Sequence, residues 1–231
     1  MKEKMKKFMM YFAGLSLMAG TLGLQSCSDD LDDGGQMMMN AMVTVKPNAD
    51  NTAVTLQLDD YTVLHPENLQ KSPFGTKEVR ARACLDYKDS QKQHVDVVWL
   101  DSVLTKKLVK NQGSEDENSK TYGNDPLNIL NDWITVAEDG YLTLHFATVF
   151  GNGAQHKLNL VYRDDMETPY YFTLHHDAQG DFTGLEGDGI VAFKLYDLPA
   201  LQEIDQPVQI TLEWNTRVGT QTAKFKYTPR K

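Results

Sequence analysis

Alternation of apolar and polar residues dominates the chain from about residue 41 onward. An apolar residue at every second position is typical of a β-strand with one buried face, and the helical period is scarce here. In Val79–Tyr87 the odd positions are apolar and the even positions are mostly charged, which places Cys84 on the face of Arg80 and Arg82. The pattern predicts an all-β protein.

The predicted strands fall into two sets. Five strands within residues 41–110 suit a small barrel: 42–45, 53–58, 61–64, 77–87 and 95–109. The polar stretch 111–122, NQGSEDENSKTY, has no apolar face, and we interpret it as a linker. Seven short, evenly spaced strands in residues 123–231 point to an antiparallel β-sandwich: 133–136, 141–150, 155–163, 170–177, 189–196, 208–214 and 222–227.

The N-terminal 26 residues have the layout of a signal peptide. Four lysines precede a mostly apolar run, 8–24, that is shorter than the roughly 20 residues of a membrane span. Leu24-Gln25-Ser26-Cys27 resembles the lipobox of bacterial lipoproteins. The resemblance implies cleavage before Cys27 and acylation of Cys27, with acyl chains that anchor the protein in a membrane. The alternative is an ordinary signal peptide with a cysteine nearby.

Residues 27–40 are predicted to form an acidic tether. Four aspartates in 28–35 repel one another and leave little to bury. An acidic stretch after the lipidated cysteine resembles the surface-export signal of some Gram-negative lipoproteins. We therefore expect an outer-membrane lipoprotein exposed on the cell surface; the alternative is a spacer that faces the periplasm.

Charge and cysteine content exclude several classes of protein. The net charge of −9 falls to −12 when residues 1–26, with four lysines and Glu3, are removed. Such an acidic surface disfavours nucleic acid and anionic lipid as partners. If Cys27 is acylated, Cys84 is the single remaining thiol, so we expect no internal disulfide.

The chain resembles the NigD-like family of bacterial lipoproteins. The residues that carry the resemblance are the lipobox, Leu58-Asp59-Asp60, 123–129 (GNDPLNI) with Trp133, 141–146 (YLTLHF), 156–161 (HKLNLV), 175–181 (HHDAQGD) and 189–193 (GIVAF). The family often has Arg-His-Asn in place of His175-His176-Asp177, and Asp-Gly in place of Asp60-Tyr61. The resemblance implies an N-terminal OB-like barrel, a C-terminal β-sandwich and no known enzymatic activity. It also implies a bacteriocin immunity or accessory role, inferred from the gene neighbourhood.

The histidines are the first candidates for chemistry. Alternation places His156 and His176 on the core face of neighbouring strands, while His145 and His175 point outward. The two inward histidines are expected to meet at one end of the sandwich. They are candidates for a metal pair, since neutral imidazole binds zinc. A third ligand is not apparent, so two histidines that hydrogen-bond to the protein are the alternative, and we predict no metal.

Other chemistry has weak support. Asp177, Asp181 and Asp188 lie in a glycine-rich region but lack the spacing of an EF-hand, which favours a solvated loop over a calcium site. No nucleophile motif or phosphate-binding loop is present. Three aromatic residues on the barrel strands, Tyr61, Tyr87 and Trp99, could stack a ligand or pack the barrel.

We therefore expect a non-catalytic, lipid-anchored protein that binds or shields at the outer membrane surface, without a cofactor. Its expected partners are the membrane, through its acyl chains, and an extracellular peptide, protein or glycan. One alternative is a bacteriocin immunity or accessory lipoprotein, whose acidic face would capture a cationic toxin. Another is an accessory enzyme that acts on carbohydrate or peptide with a metal at His156 and His176.

Overall fold

The computed structural model describes residues 36–230. The predicted signal peptide, the lipidation site Cys27 and most of the predicted tether lie outside these residues. Within 36–230 the chain forms fourteen strands, two short α-helices and one 3-10 helix (Leu195–Asp197), which confirms the all-β prediction. No helix in this range has the length and apolar composition that a membrane crossing needs.

The N-terminal half is a small closed barrel, as predicted. Its strands are β1 (Met37–Pro47), β2 (Val54–Gln57), β3 (Val63–Pro66), β4 (Val79–Tyr87) and β5 (His94–Ser102). The barrel closes in the order β1-β2-β3-β5-β4. Alternation along each strand sends small and branched residues inward, and Val43, Leu56, Leu64, Leu85 and Val95 are completely buried there.

The C-terminal half is the predicted β-sandwich. One sheet has the order β10 (Lys157–Tyr162), β11 (Tyr171–Asp177), β13 (Val208–Thr216) and β14 (Gly219–Tyr227). The other has the order β6 (Leu104–Lys106), β12 (Leu185–Lys194), β9 (Tyr141–Phe150) and β7 (Asn128–Ile129), with β8 (Val136–Glu138) also paired to β9. Leucines and aromatic residues from both sheets fill the space between them.

The sequence predicts an antiparallel sandwich, and this is wrong for two strand pairs. The pairs β11–β13 and β6–β12 are parallel. The chain passes from β11 to β12 in the opposite sheet and then returns to β13, so its direction reverses twice. The parallel pairing of β11 with β13 follows from that double crossing.

The predicted domain boundaries need correction at both ends of the barrel. Strand β1 begins at Met37, so residues 37–40 belong to the barrel and not to the tether. The predicted strand 95–109 is in fact two strands: β5 ends the barrel at Ser102, and β6 pairs with β12 in the sandwich. Val103 lies between them with its N–H bonded to the carbonyl of Arg80 at 2.8 Å. The chain therefore passes directly from one domain into the other.

The stretch 111–122 is not a linker. It contains helix α1 (Glu115–Tyr122), which packs on β10 and β11. Ser114 caps the helix by accepting the N–H of Glu117, and three acidic residues in the first turn favour the positive end of the helix dipole. Asn118 is completely buried. The helix forms through its cap and polar contacts, and an apolar stripe is not needed.

Residues 133–136 are not the strand that alternation predicted. Asp132 accepts the N–H of Ile134 at 3.0 Å and turns the chain before β8 starts. A second helix, α2 (Pro199–Gln202), lies between β12 and β13.

The barrel rests on the outer face of the sheet that contains β9 and β12. The residues packed at this contact include Met42, Val103, Ile134, Tyr141 and Ala192. The barrel covers the sheet near the start of β9. The loops at the opposite end of β9 form the barrel-distal end of the sandwich.

Candidate functional site

His156 and His176 meet at the barrel-distal end, as predicted. His156 Nδ1 lies 2.9 Å from His176 Nε2, and the rings stack with centroids 5.0 Å apart. His176 Nδ1 faces the carbonyl oxygen of Asp125 at 3.3 Å. A carbonyl can only accept, so His176 Nδ1 carries a proton and, in the neutral ring, Nε2 accepts from His156.

A buried carboxylate stands beside this pair. Asp181 accepts the backbone N–H groups of Gly151 and Asn152 at 2.9 and 3.0 Å, and these bonds lower the pKa of Asp181. Its Oδ2 lies 3.5 Å from His156 Nε2. Burial, reinforced by the neighbouring His156, lowers the pKa of His176. The cluster fastens the loop that precedes β10 to the loop that follows β11.

The geometry of the pair does not fit a shared metal ion. Two nitrogen ligands at about 2.0–2.1 Å in tetrahedral geometry would lie roughly 3.3 Å apart, and these nitrogens are 2.9 Å apart. Across residues 36–230 no three His, Cys, Asp or Glu side chains are grouped so that they could hold a metal ion. The arrangement favours two histidines that hydrogen-bond to each other, while His156 Nε2 has no hydrogen-bond partner among the described residues.

His175 is buried, contrary to the prediction that it points outward. Helix α1 covers it: His175 Nδ1 lies 2.9 Å from the carbonyl of Gly123, and the ring of Tyr122 is 6.0 Å away. Strand parity placed His175 on the outer face of β11 correctly. The helix that shields this face lies in the stretch 111–122, for which the sequence predicts a linker.

His145 lies on the outer face of β9, opposite to the leucines of the core. Its Nδ1 is 2.6 Å from Asp132 and its Nε2 is 3.0 Å from Asp188. Although burial opposes protonation, the hydrogen bonds to Asp188 and Asp132 raise the pKa of His145. The two carboxylates therefore favour the protonated form of the imidazole between them.

The three aspartates considered for calcium point to different partners. Asp177 lies beside Lys157 at 3.8 Å, Asp181 holds the 151–152 loop, and Asp188 pairs with His145. The barrel aromatics are also dispersed. Tyr61 is exposed in the β2–β3 loop, Tyr87 packs against the barrel core, and Arg82 covers Trp99 at 5.3 Å.

A buried arginine, which the sequence pattern did not reveal, lies between the domains. Arg80 on β4 is 0% exposed. Its Nε donates to Thr143 at 3.3 Å, its Nη1 donates to Thr44 at 3.2 Å, and its Nη2 lies 3.5 Å from Glu138. Burial lowers the pKa of Arg80 and raises that of Glu138, although each group opposes the shift of the other.

A second ion pair links the same two domains. Arg230, near the end of the chain, pairs in a two-pronged manner with Glu78 on the barrel. Tyr141 donates its hydroxyl to Glu78 at 2.7 Å, and Lys46 pairs with Asp139 at 2.8 Å. These partly buried polar contacts fix one domain on the other.

A groove lies beside the edge strands β6 and β10. It encloses about 780 Å³. Apolar side chains contribute to its lining, together with three lysines and three aspartates: Leu108, Val109, Tyr162 and Leu198; Lys107, Lys110 and Lys194; Asp164, Asp165 and Asp197. Sequence reasoning missed this groove because segment 107–113 had been divided between the barrel and a linker.

One wall of the groove is held rigidly. Arg163 donates to both carboxylate oxygens of Asp165, at 2.8 and 2.9 Å, and these bonds bring the pKa of Asp165 to about 2. Asn111 donates to Asp164 and Asp165 at 3.0 and 3.1 Å. Asn111, Asp164 and Asp165 are therefore held in position before any ligand arrives.

Two family models match the chain. Residues 42–103 match the NigD-like N-terminal OB domain, and residues 108–227 match the NigD-like C-terminal beta sandwich domain. The boundary between the two matches coincides with β6, where the chain leaves the barrel. No curated protein matches the chain.

Solved structures share this architecture. A protein named as toxin-related, from Parabacteroides distasonis, is 31% identical with a TM-score of 0.69, and the match covers 84% of this chain and 94% of that one. A NigD-like immunity protein from Bacteroides caccae is 18% identical with a TM-score of 0.60, covering 84% and 98%. A protein from Bacteroides fragilis named as a lipoprotein is 14% identical with a TM-score of 0.50, also covering 84% and 98%. The latter two likenesses concern the fold alone.

Proposed function

The chain belongs to the NigD-like family, and from this premise we propose that it is a non-catalytic binding protein, anchored by acyl chains on Cys27 at the outer surface of the bacterial outer membrane. The lipobox 24–27 and the four aspartates that follow it support this location. The groove beside β6 and β10 supports the binding role and is the observation that carries it.

The size and lining of the groove suit a peptide segment of another protein. Ligand sites commonly enclose about 300–1,000 Å³ and combine an apolar lining with a few oriented polar groups. Leu108, Tyr162 and Leu198 supply apolar surface here. Lysines and aspartates at the groove offer partners for both charges of a peptide and for its backbone.

Glycan and nucleic acid fit the groove less well. Tyr162 is the single aromatic residue that lines it, whereas stacking platforms use several rings. The three lysines at the groove are matched by three aspartates, and the whole chain carries a charge of −9. Such a balance provides no concentrated positive surface for phosphate.

Acylation is tested on the protein from its own membranes. We expect the intact mass to show a chain that begins at Cys27 and carries acyl groups, and Cys27→Ser to release the protein from the membrane fraction. Protease added to intact cells should degrade the native protein. An unmodified thiol at residue 27, or a retained Met1, would contradict the anchor.

Binding in the groove is tested by photo-cross-linking on intact cells. A photoreactive residue at position 107 should give discrete products whose partner peptide is sequenced, and Lys110→Glu should abolish them. The control is Lys224→Glu, which makes the same change of charge at an exposed lysine on β14. Products that persist with Lys110→Glu would place the binding surface elsewhere.

A bacteriocin immunity role is the special case in which the captured peptide belongs to a cationic toxin. Its acidic net charge makes the chain compatible with such a ligand. Deletion of the gene should then sensitise the cells to the toxin, and Asp197→Lys, which reverses an acidic charge of the groove, should fail to restore protection. Unchanged sensitivity would leave the general binding role and exclude immunity.

A further inference from the structure

An apolar patch surrounds the point at which the described chain begins. Met37, Met39 and Trp133 are 54%, 57% and 56% exposed, which is unusual for large apolar side chains. With Tyr87 and Lys92 they line one shallow hollow of about 410 Å³. The patch combines the start of β1 with the sandwich loop before β8.

A β-bulge directs the two methionines outward. The register of β1 on β4 shifts between Met38 and Ala41, and Asn40 adopts a left-handed φ of 59°. Because of the extra residue, Met38 and Ala41 can both pack toward the barrel core. Met37 and Met39 are left on the outer surface.

The tryptophan is held by its neighbours in the loop. Asp132 accepts the N–H of Ile134 at 3.0 Å and pairs with His145 at 2.6 Å, so the backbone on both sides of Trp133 is fastened. The indole is therefore presented to solvent by a fixed turn. The patch exists before any partner arrives.

The patch lies close in the chain to the predicted lipidation site. Cys27 precedes Met37 by ten residues, so the two are separated by at most about 35 Å of extended chain. If Cys27 carries acyl chains, as proposed above, the patch never leaves the vicinity of the bilayer. A tether this short gives an effective concentration in the millimolar range, at which weak docking is sufficient.

We propose that the Met37–Met39–Trp133 patch seats on the bilayer at the boundary between headgroups and acyl chains, and so sets the orientation of both domains. Tryptophan and tyrosine prefer this boundary, and a lysine beside them extends its amino group to the headgroups. Lys88 pairs with Asp86 and Asp96 at 2.9 and 3.0 Å, which spares two carboxylates near Tyr87 from being desolvated alone.

The test uses the acylated full-length product, purified from membranes and reconstituted in vesicles of phosphatidylethanolamine and phosphatidylcholine. Part of the phosphatidylcholine carries bromine near the top of its acyl chains and quenches indoles at that depth. The chain has three tryptophans, so Trp133→Phe and Trp99→Phe identify the quenched one. We expect quenching that disappears with Trp133→Phe and persists with Trp99→Phe.

The double variant Met37→Asp, Met39→Asp should abolish this quenching while the protein still floats with the vesicles through its anchor. Both side chains are more than half exposed, so far-ultraviolet circular dichroism and the Tm should stay unchanged. A floating protein without Trp133 quenching would overturn the seating and leave the anchor intact. A chain without acyl groups would overturn both. Sedimentation showing a dimer that the double variant dissolves would instead assign the patch to a second copy.

Discussion

Arg80 shows at the scale of one residue how the two domains are joined. It is the largest completely buried side chain of residues 36–230, and Glu138 is its one carboxylate partner within 4 Å. Its two neighbours Thr44 and Thr143 come from different domains. A guanidinium buried this deeply must keep all of these contacts, because an unpaired buried charge is costly.

Replacing Arg80 should therefore be much more damaging than replacing Arg82, two residues along the same strand. We expect Arg80→Ala to lower the free energy of unfolding by about 3–5 kcal/mol. Arg82 is partly exposed and lies 3.9 Å from Asp101, so Arg82→Ala should cost about 1 kcal/mol or less. Urea denaturation of both variants measures the difference, and equal losses would contradict the role of Arg80.

His176 makes the folded state less stable as the pH is lowered. Its pKa is lowered in the folded state, so the unfolded chain takes up this proton first as the pH falls below about 6.5. Its contribution to stability is complete above that pH and is lost on acidification. Free energies of unfolding measured from pH 7 to pH 5 should fall less steeply for His176→Asn than for the native chain.

The contribution of His145 to stability depends on pH in the opposite way. Its pKa is raised in the folded state, so its contribution is complete below about pH 6.5 and is lost as the pH rises through the folded pKa. His145→Asn should remove a loss of stability that the native chain shows as the pH rises above about 6.5. Titration of the C2 proton of the ring by NMR locates the transition, and an identical pH profile in the variant would contradict this account.

At the scale of one element, α1 depends on its cap. Ser114→Ala should destabilise the helix by about 0.5–2 kcal/mol and accelerate hydrogen exchange at 115–122. Thr121→Ala is the control, because it removes a hydroxyl from the last turn and leaves the N-terminal cap in place. Fast exchange of this segment in the native chain would show that α1 is not stably docked on His175.

The strands could be read from the sequence, but the polar helix could not. Alternation located the core of β4, β9, β11 and β13, because one face of each strand is buried against apolar residues. Helix α1 has no apolar stripe, so the spacing of apolar residues does not predict it. The signal that was present is Ser114 followed three residues later by Glu117, the spacing of a capping box.

Contacts between neighbouring strands could be predicted from the sequence, whereas contacts with a second domain or with α1 could not. His156 and His176 meet because strand parity and a short connection bring them together, and parity is visible in the sequence. The burial of Arg80 and His175 depends on a second domain and on α1. The groove depends on how segment 107–113 crosses from one sheet to the other, which alternation does not encode.

At the scale of the whole molecule, barrel and sandwich should unfold together. The buried contacts of Arg80, the pair of Glu78 with Arg230 and the apolar cluster around Met42 all join the two domains. We expect a single calorimetric transition with equal calorimetric and van't Hoff enthalpies. Two resolved transitions in the native chain would show that these contacts do not couple the domains.

The segment after β6 also covers the edge strand β10. Lys106 donates its amino group to the carbonyl of Leu158, and Val109 donates its N–H to the carbonyl of Leu160 at 2.9 Å. An exposed edge strand can pair with the backbone of another molecule, and such pairing leads to fibres and aggregates. Here a foreign strand would first have to peel away residues 106–109. We therefore expect that neighbouring molecules, even at high local concentration, do not form an intermolecular sheet through β10.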